Sequence, residues 1–122
     1  MERIERMREA AEEAGRTRKR YIDALRYGKI PFHEFVTLLD DPELDKRLGK
    51  LKVFAILATF AGWNRVTARH ALISNGLPVE LSLRQVRNND NYMAVCTMLM
   101  NASASTWQQR VKAPAGWPWF GN

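Results

Sequence analysis

The sequence predicts an all-α fold in which a long N-terminal helix precedes a compact helical domain. Apolar residues recur at spacings of three and four along residues 4–14, and again along residues 32–39. This is the period of a helix that buries one face. No segment alternates apolar and polar residues over the length of a strand, so β-structure is not expected.

Length and composition indicate one globular domain. The chain has 122 residues, of which 46% are hydrophobic and 26% are charged, enough for a modest core. The longest apolar stretch, residues 53–63, is too short to span a bilayer, and the glutamate-rich first 15 residues argue against a leader. We therefore expect no membrane partner and a cytoplasmic location. Cys96 is the single cysteine, so no disulfide framework is expected, and its apolar neighbours predict a core residue.

Residues 1–28 are expected to form the long helix, basic in its second half and partly projecting from the domain. Tyr21 and Leu25 should dock the second half, because the first half carries only a thin apolar stripe. Gly15 weakens the middle of the helix, which predicts a kink or a frayed first half. Gly28 follows the last turn, where glycine commonly ends a helix.

Residues 29–102 are expected to form the helical core. Pro31 suits the first turn of a second helix, and Asp41-Pro42 suits the start of a third. Asn75-Gly76 is a strong stop signal. The predicted helices span residues 32–39, 42–51, 52–60, 68–75, 81–87 and 91–102. The segment 52–60 should be the most buried, because it is apolar on nearly every side.

The chain changes character from Ser103. Residues 103–122 form a tail rich in small residues, proline and glycine that nevertheless contains large aromatic residues. These are Trp107, Trp117, Trp119 and Phe120. Three interpretations stay open: the tail is flexible, it wraps back over apolar surface of its own domain, or it docks a protein partner.

The distribution of charge favours an anionic partner. The net charge is +6 and the pI is near 9.9. Residues 16–30 hold six basic residues and one acid, and residues 51–75 hold three basic residues and no acid. Arg16, Lys19 and Arg20 take neighbouring positions on the first helix and are candidate contacts for a DNA backbone. The plain alternative is a basic helix face that is merely solvated.

The stretch AGWNRVTARHAL, residues 61–72, holds the strongest candidate site. A short Gly-Trp-Asn turn leads into a helix that Asn64 or Thr67 can cap. A helix N-terminus exposes unpaired N–H groups and carries partial positive charge, both of which favour a phosphate. Arg65 and, one turn later, Arg69 would add charged contacts, and the Thr67 hydroxyl is a further candidate. An ordinary capped turn with solvated arginines remains the alternative.

The sequence does not predict an enzyme. His33 and His70 have no metal-spaced partner and no neighbouring nucleophile, so they are expected at the surface or at an interface. Four acids lie within residues 40–45, where two helix starts explain them without a bound cation. We expect neither a metal nor a cofactor.

Three stretches together resemble one protein family. They are AGRTRKRYIDALRYGKIPFHEFV, DDPELDKRLGKLKVFAILATFAGWNRVTARHAL and NGLPVELSLRQVRNNDNYMAVCTML, and they cover roughly residues 14–101. The family is the actinobacterial integration host factors of the mycobacterial type, which are small nucleoid-associated proteins. The best-matched block is LGKLKV, residues 48–53, with the turn at residues 62–68 after it.

The resemblance implies a helix–two-turn–helix unit over about residues 66–101 at the end of the domain. Such a unit would contact the phosphate backbone of double-stranded DNA with low sequence specificity and bend or organise the duplex. Carried over by position, Arg65 matches the basic residue of the first loop. Arg84 matches one arginine of the second segment, and Arg87 is a further candidate beside it.

The chain also departs from the family pattern. Asn64 stands where the family usually has glycine, and residues 81–87 lack two arginines and two glycines of the family text R-R-L-R-G-L-G. These departures suit a divergent copy, for example a bacteriophage-encoded relative, located at the bacterial nucleoid or in the host cytoplasm. The alternative function is a protein-interaction module that docks its partner through the Trp-rich tail or the basic helix.

Overall fold

A computed structural model describes residues 2–60 and 62–104, and within these ranges the regular structure is helical. The elements are α1 Glu2–Arg26, α2 Phe32–Thr37, a 3₁₀ turn Leu38–Asp40, α3 Pro42–Leu48, α4 Val53–Leu57, α5 Arg65–Ser74, α6 Leu83–Arg87 and α7 Asp90–Ala104. The prediction of an all-α fold with a long first helix is confirmed. In this part of the chain, no helix is both long and apolar enough to cross a membrane. The tail aromatics at positions 107, 117, 119 and 120 lie outside the described residues.

The core forms where short helices meet α7. α2 contacts α6 and α7, and α4 contacts α5 and α7. The largest fully buried side chains are Phe32, Phe35, Leu48, Ile56, Leu57, Leu72, Leu81 and Leu83. Cys96 is fully buried among them, as its neighbours predicted, and burial raises the pKa of its thiol to about 12. The thiol is therefore neutral and unreactive at ordinary pH, because the thiolate is the reactive form.

Helix α1 is attached to this core through its second half. Ala24 and Leu25 are buried, and the ring of Tyr21 meets Phe35 edge-on with centroids 6.2 Å apart. Arg47 of α3 reaches back to the Glu13 carboxylate at 3.4 Å. Residues 2–13 are exposed, and the helix runs through position 15 without a break. About three turns of α1 thus extend past the attached half.

Helices α2, α3, α4 and α6 are shorter than predicted. For α3, the reason is that the residues after it pair with a distant part of the chain. α3 ends at Leu48 rather than at residue 51, and α4 occupies only part of segment 52–60. The Leu83 N–H donates to the Leu51 carbonyl at 2.9 Å, and the Val53 N–H donates to the Leu81 carbonyl at 2.9 Å. Backbone groups engaged with a distant segment are not available for a helical ladder, so α3 does not continue through residue 51 and α4 begins at Val53.

Candidate nucleic-acid interface

The start of α5 is a fully formed helix cap. The Asn64 side-chain oxygen accepts from the Thr67 N–H at 2.9 Å, and the Asn64 N–H donates to the Thr67 hydroxyl at 2.9 Å. Gly62 has φ +80°, a left-handed conformation that glycine adopts without strain, and this lets the chain turn into the cap. The cap is therefore Asn64 rather than Thr67. Because the Thr67 hydroxyl also donates to the Asn64 carbonyl at 3.0 Å, it serves the cap and has no hydrogen left for a phosphate.

Arg65 is the first residue of α5, and its side chain is exposed. Within residues 2–60 and 62–104, it makes no ion pair, and the backbone N–H groups of Arg65 and Val66 have no protein acceptor. The Asn64–Thr67 cap satisfies the other two N–H groups of this helix start, so these two are the donors without an intramolecular acceptor. A charged side chain and two free amides thus lie together at the positive end of the helix dipole.

Arg69 lies one turn beyond Arg65 and stacks on the core. Its guanidinium carbon is 4.7 Å from the centroid of the Phe54 ring, a cation–π contact between α5 and α4. A guanidinium over a ring face uses none of its five N–H donors in that contact. Arg69 can therefore hold its position on α4 and still donate to a phosphate oxygen.

The three basic residues predicted on α1 have different surroundings. Arg16 is exposed and forms no ion pair with any other described residue. Lys19 donates to Asp23 at 3.0 Å, and this hydrogen bond raises the pKa of the ammonium. The Arg20 guanidinium carbon lies 5.8 Å from the centroid of the Tyr21 ring. To bind DNA, Lys19 must exchange Asp23 for a phosphate.

The arginines of α6 are held by acids from earlier in the chain. Arg84 donates through Nε to the Asp45 carboxylate at 3.0 Å and through Nη2 to the Asp45 carbonyl at 3.1 Å. Arg87 donates through Nε and Nη2 to Asp40 at 2.8 and 2.6 Å. The acidic cluster explained above by helix starts therefore has a second role, which is to tie α6 to α3 and to the 3₁₀ turn.

The range predicted for the helix–two-turn–helix unit, about residues 66–101, holds three helices, α5, α6 and most of α7. Turns at residues 75–76 and 79–80 separate α5 from α6. α5 packs on α4, α6 packs on α2 and α7, and α1 packs on α2 and α3. The predicted site residues therefore fall into three groups on three helices, of which α1 and α6 share the packing partner α2. The groups are the α5 group at 64–69, the α6 pair at 84 and 87, and the α1 group at 16–20.

Two basic residues that the sequence did not single out, Lys50 and Lys52, line a cleft beside Arg84. The charge pattern of the sequence could have indicated these two lysines. No acid occurs between Asp45 and Glu80, and the 34 residues between them contain six basic residues, those at 46, 47, 50, 52, 65 and 69. Acid-free runs of this kind place positive charge on a surface without local neutralisation.

Gly49 is expected to be essential for the Arg84–Asp45 contact. A Cβ at this position would lie 2.7 Å from Arg84 Nη2 and 2.6 Å from the Asp45 carbonyl oxygen. We expect Gly49→Ala to destabilise the fold by about 1–3 kcal/mol, because packed atoms must shift to admit the methyl group. Thermal unfolding followed by circular dichroism measures this. Gly15→Ala is the matched control and should be neutral or slightly stabilising, since that site is open and helical. Equal melting temperatures for the two variants would contradict the expectation.

Among the described residues, no group of three or more His, Cys, Asp or Glu side chains is placed to hold a metal ion. Comparisons with protein-family models, with curated proteins and with solved structures found no match for this chain. The chemistry of its exposed surfaces is therefore the basis for a functional proposal.

Proposed function

We propose that this protein binds the phosphate backbone of duplex DNA through the start of α5. The observation that carries the proposal is Arg65, an exposed arginine that lies beside two free backbone amides at a capped helix start. This combination offers charge-assisted and dipole-assisted hydrogen bonds to one phosphate. Arg69 adds a second cation one turn along the same helix. Arg16 and Arg20 on α1 provide a second contact region on the backbone.

We expect low sequence preference because the polar side chains of α6 already have partners within the protein. Reading bases requires several polar side chains that are free to enter a groove. In α6, however, Arg84 and Arg87 are paired with acids, and the Gln85 side-chain oxygen accepts from the Ser82 N–H at 2.9 Å. Few donors or acceptors of this helix remain for base edges, so affinity should come from phosphates.

The resemblance to the actinobacterial integration host factors supports the same proposal. Its best-matched block, residues 48–53, leads through α4 into the turn that carries Arg65. On this basis we propose a role in bending or organising duplex DNA at a bacterial nucleoid, or in a bacterial host in the case of a phage-encoded copy. Charge, cap and resemblance are three separate supports for one assignment.

A titration of duplex DNA at several salt concentrations tests the proposal. If Arg16, Arg20, Arg65 and Arg69 each neutralise a phosphate, log affinity should fall against log salt with a slope of roughly −3 to −4. A duplex of scrambled sequence should bind nearly as well. Absence of binding at low salt, or an affinity that does not change with salt, would overturn the proposal.

A protein partner is the second candidate, because α5 also exposes apolar side chains. Val66 is 62% exposed and Ile73 is 59% exposed, and they lie seven residues apart on one helix face. Neighbouring exposed apolar residues are typical of protein docking surfaces. Under this alternative, Ile73→Asp would abolish partner capture, whereas Arg65→Ala would leave it nearly intact. Under the leading proposal, Arg65→Ala should weaken duplex DNA binding and Ile73→Asp should leave it nearly unchanged.

A further inference from the structure

A polar cleft lies between the segment that follows α3 and the start of α6. Its walls are fixed by backbone pairing, since the Arg84 N–H donates to the Gly49 carbonyl at 3.0 Å and Lys52 bridges to Ser82. The cleft has a volume of about 690 Å³. Every residue that lines it is polar, charged or glycine, and polar atoms share its surface about equally with the apolar stems of these side chains.

The lining offers many hydrogen-bond donors. Lys50 is exposed and has no ion pair among the described residues, so its ammonium is available. Lys52 donates through Nζ to the Glu80 carbonyl at 3.1 Å, and this fixes the ammonium over the cleft. Because the Gln85 side-chain oxygen accepts from Ser82, the amide NH₂ is the end left to donate.

Acceptors in the cleft are fewer than donors. Glu80 supplies the one carboxylate of the lining, and it lies 3.9 Å from Lys52, a loose and exposed pair. Arg84 lines the cleft, but its ion pair with Asp45 already neutralises much of its positive charge. The lining therefore favours a ligand that brings several acceptor oxygens and negative charge.

We propose that this cleft is a second anion site, one that binds a phosphoryl group through Lys50, Lys52 and the Gln85 amide. The proposal goes beyond the interface at α5, because it uses none of that surface and does not require DNA. A single carboxylate and two lysines do not suit a divalent cation, which prefers several oxygen ligands. The cleft is open to solvent, so the phosphoryl group can belong to a free oligophosphate compound or to a stretch of nucleic-acid backbone.

Calorimetric titration of the full chain with inorganic tripolyphosphate tests the site. The parent protein should bind it at low salt, and Lys50→Gln and Lys52→Gln should each lower the affinity by about tenfold, the effect of losing one charge-assisted hydrogen bond. Lys29→Gln is the matched control. It removes the same charge from the exposed turn after α1, and its affinity should stay within about twofold of the parent.

Glu80→Gln distinguishes binding from a merely structural role. Removing the carboxylate that faces Lys52 should tighten tripolyphosphate binding, whereas general disruption of the cleft would weaken it. Equal affinity of the parent and of all four variants, or no binding by the parent, would overturn the proposal.

The same variants titrated with duplex DNA identify the source of the phosphate. If Lys50→Gln and Lys52→Gln also weaken DNA binding, the ligand is the nucleic-acid backbone. If DNA affinity is unchanged while tripolyphosphate is lost, the ligand is a free phosphate compound. Arg65→Ala should retain tripolyphosphate binding, so failure at the α5 interface and failure at this cleft are separate results.

Discussion

Replacing Arg65 with glutamate should weaken duplex DNA binding by about a hundredfold or more, the largest effect of any single substitution on the proposed interface. Arg65→Ala should cost roughly tenfold to a hundredfold, because it removes one charge-assisted hydrogen bond to phosphate. The glutamate variant adds repulsion of the same phosphate. Fluorescence anisotropy with a labelled duplex measures both, and for Arg65→Ala the salt slope should flatten by about one unit.

Arg8→Glu is the matched control for this prediction. It makes the same change in net charge on the exposed first half of α1, a helix that packs on α2 and α3. Its affinity should stay within a few-fold of the parent, and helicity should be unchanged in both variants, since neither arginine is packed in the core. If Arg65→Glu binds DNA as tightly as Arg8→Glu does, the turn before α5 is only a capped turn.

Truncation of Phe35 should have the largest effect on stability. The side chain is completely buried in α2, and its ring receives Tyr21 of α1, so it joins the long helix to the core. We expect Phe35→Ala to lower the free energy of unfolding by about 3–5 kcal/mol through lost burial and a residual cavity. Urea unfolding followed by circular dichroism gives the change in midpoint.

A milder variant keeps this test informative if Phe35→Ala does not fold. Phe35→Leu retains most of the volume and should cost under about 1.5 kcal/mol. Met98→Ala is the control, because Met98 is 56% exposed on α7 and should change stability by less than about 0.5 kcal/mol. A parent-like urea midpoint for Phe35→Ala would show that α1 is not anchored through this ring.

The parts of the candidate site that depend on neighbouring residues were predictable. Asn64 was one of two proposed caps, and Asp41, which accepts from the Glu43 N–H at 2.9 Å, occupies the predicted start of α3. Capping joins groups two or three positions apart, so the necessary geometry is present in any sequence that forms the helix. The sequence left open only whether Asn64 or Thr67 caps α5. In the structure Asn64 is the cap, and the Thr67 side chain completes a reciprocal capping box with it.

The pairing of the α6 arginines was not predictable. Arg84 meets Asp45 across 39 positions and Arg87 meets Asp40 across 47 positions. As free side chains they were candidates for phosphate, and in the folded chain they hold α6 in place. Whether two distant charges meet depends on how their helices pack, and charge patterning along the chain carries no information about that packing.

The sequence by itself determined the fold class, the helix periods, the caps and the concentration of positive charge, because each depends on residues within about one turn of each other. Only the tertiary structure decided where α3 ends and where α4 begins, since Leu51 and Val53 pair with Leu83 and Leu81. It also decided which arginines stay free for a ligand and brought Lys50 and Lys52 to one cleft with Gln85. Those outcomes depend on contacts between segments far apart in the chain, which form only when the core packs.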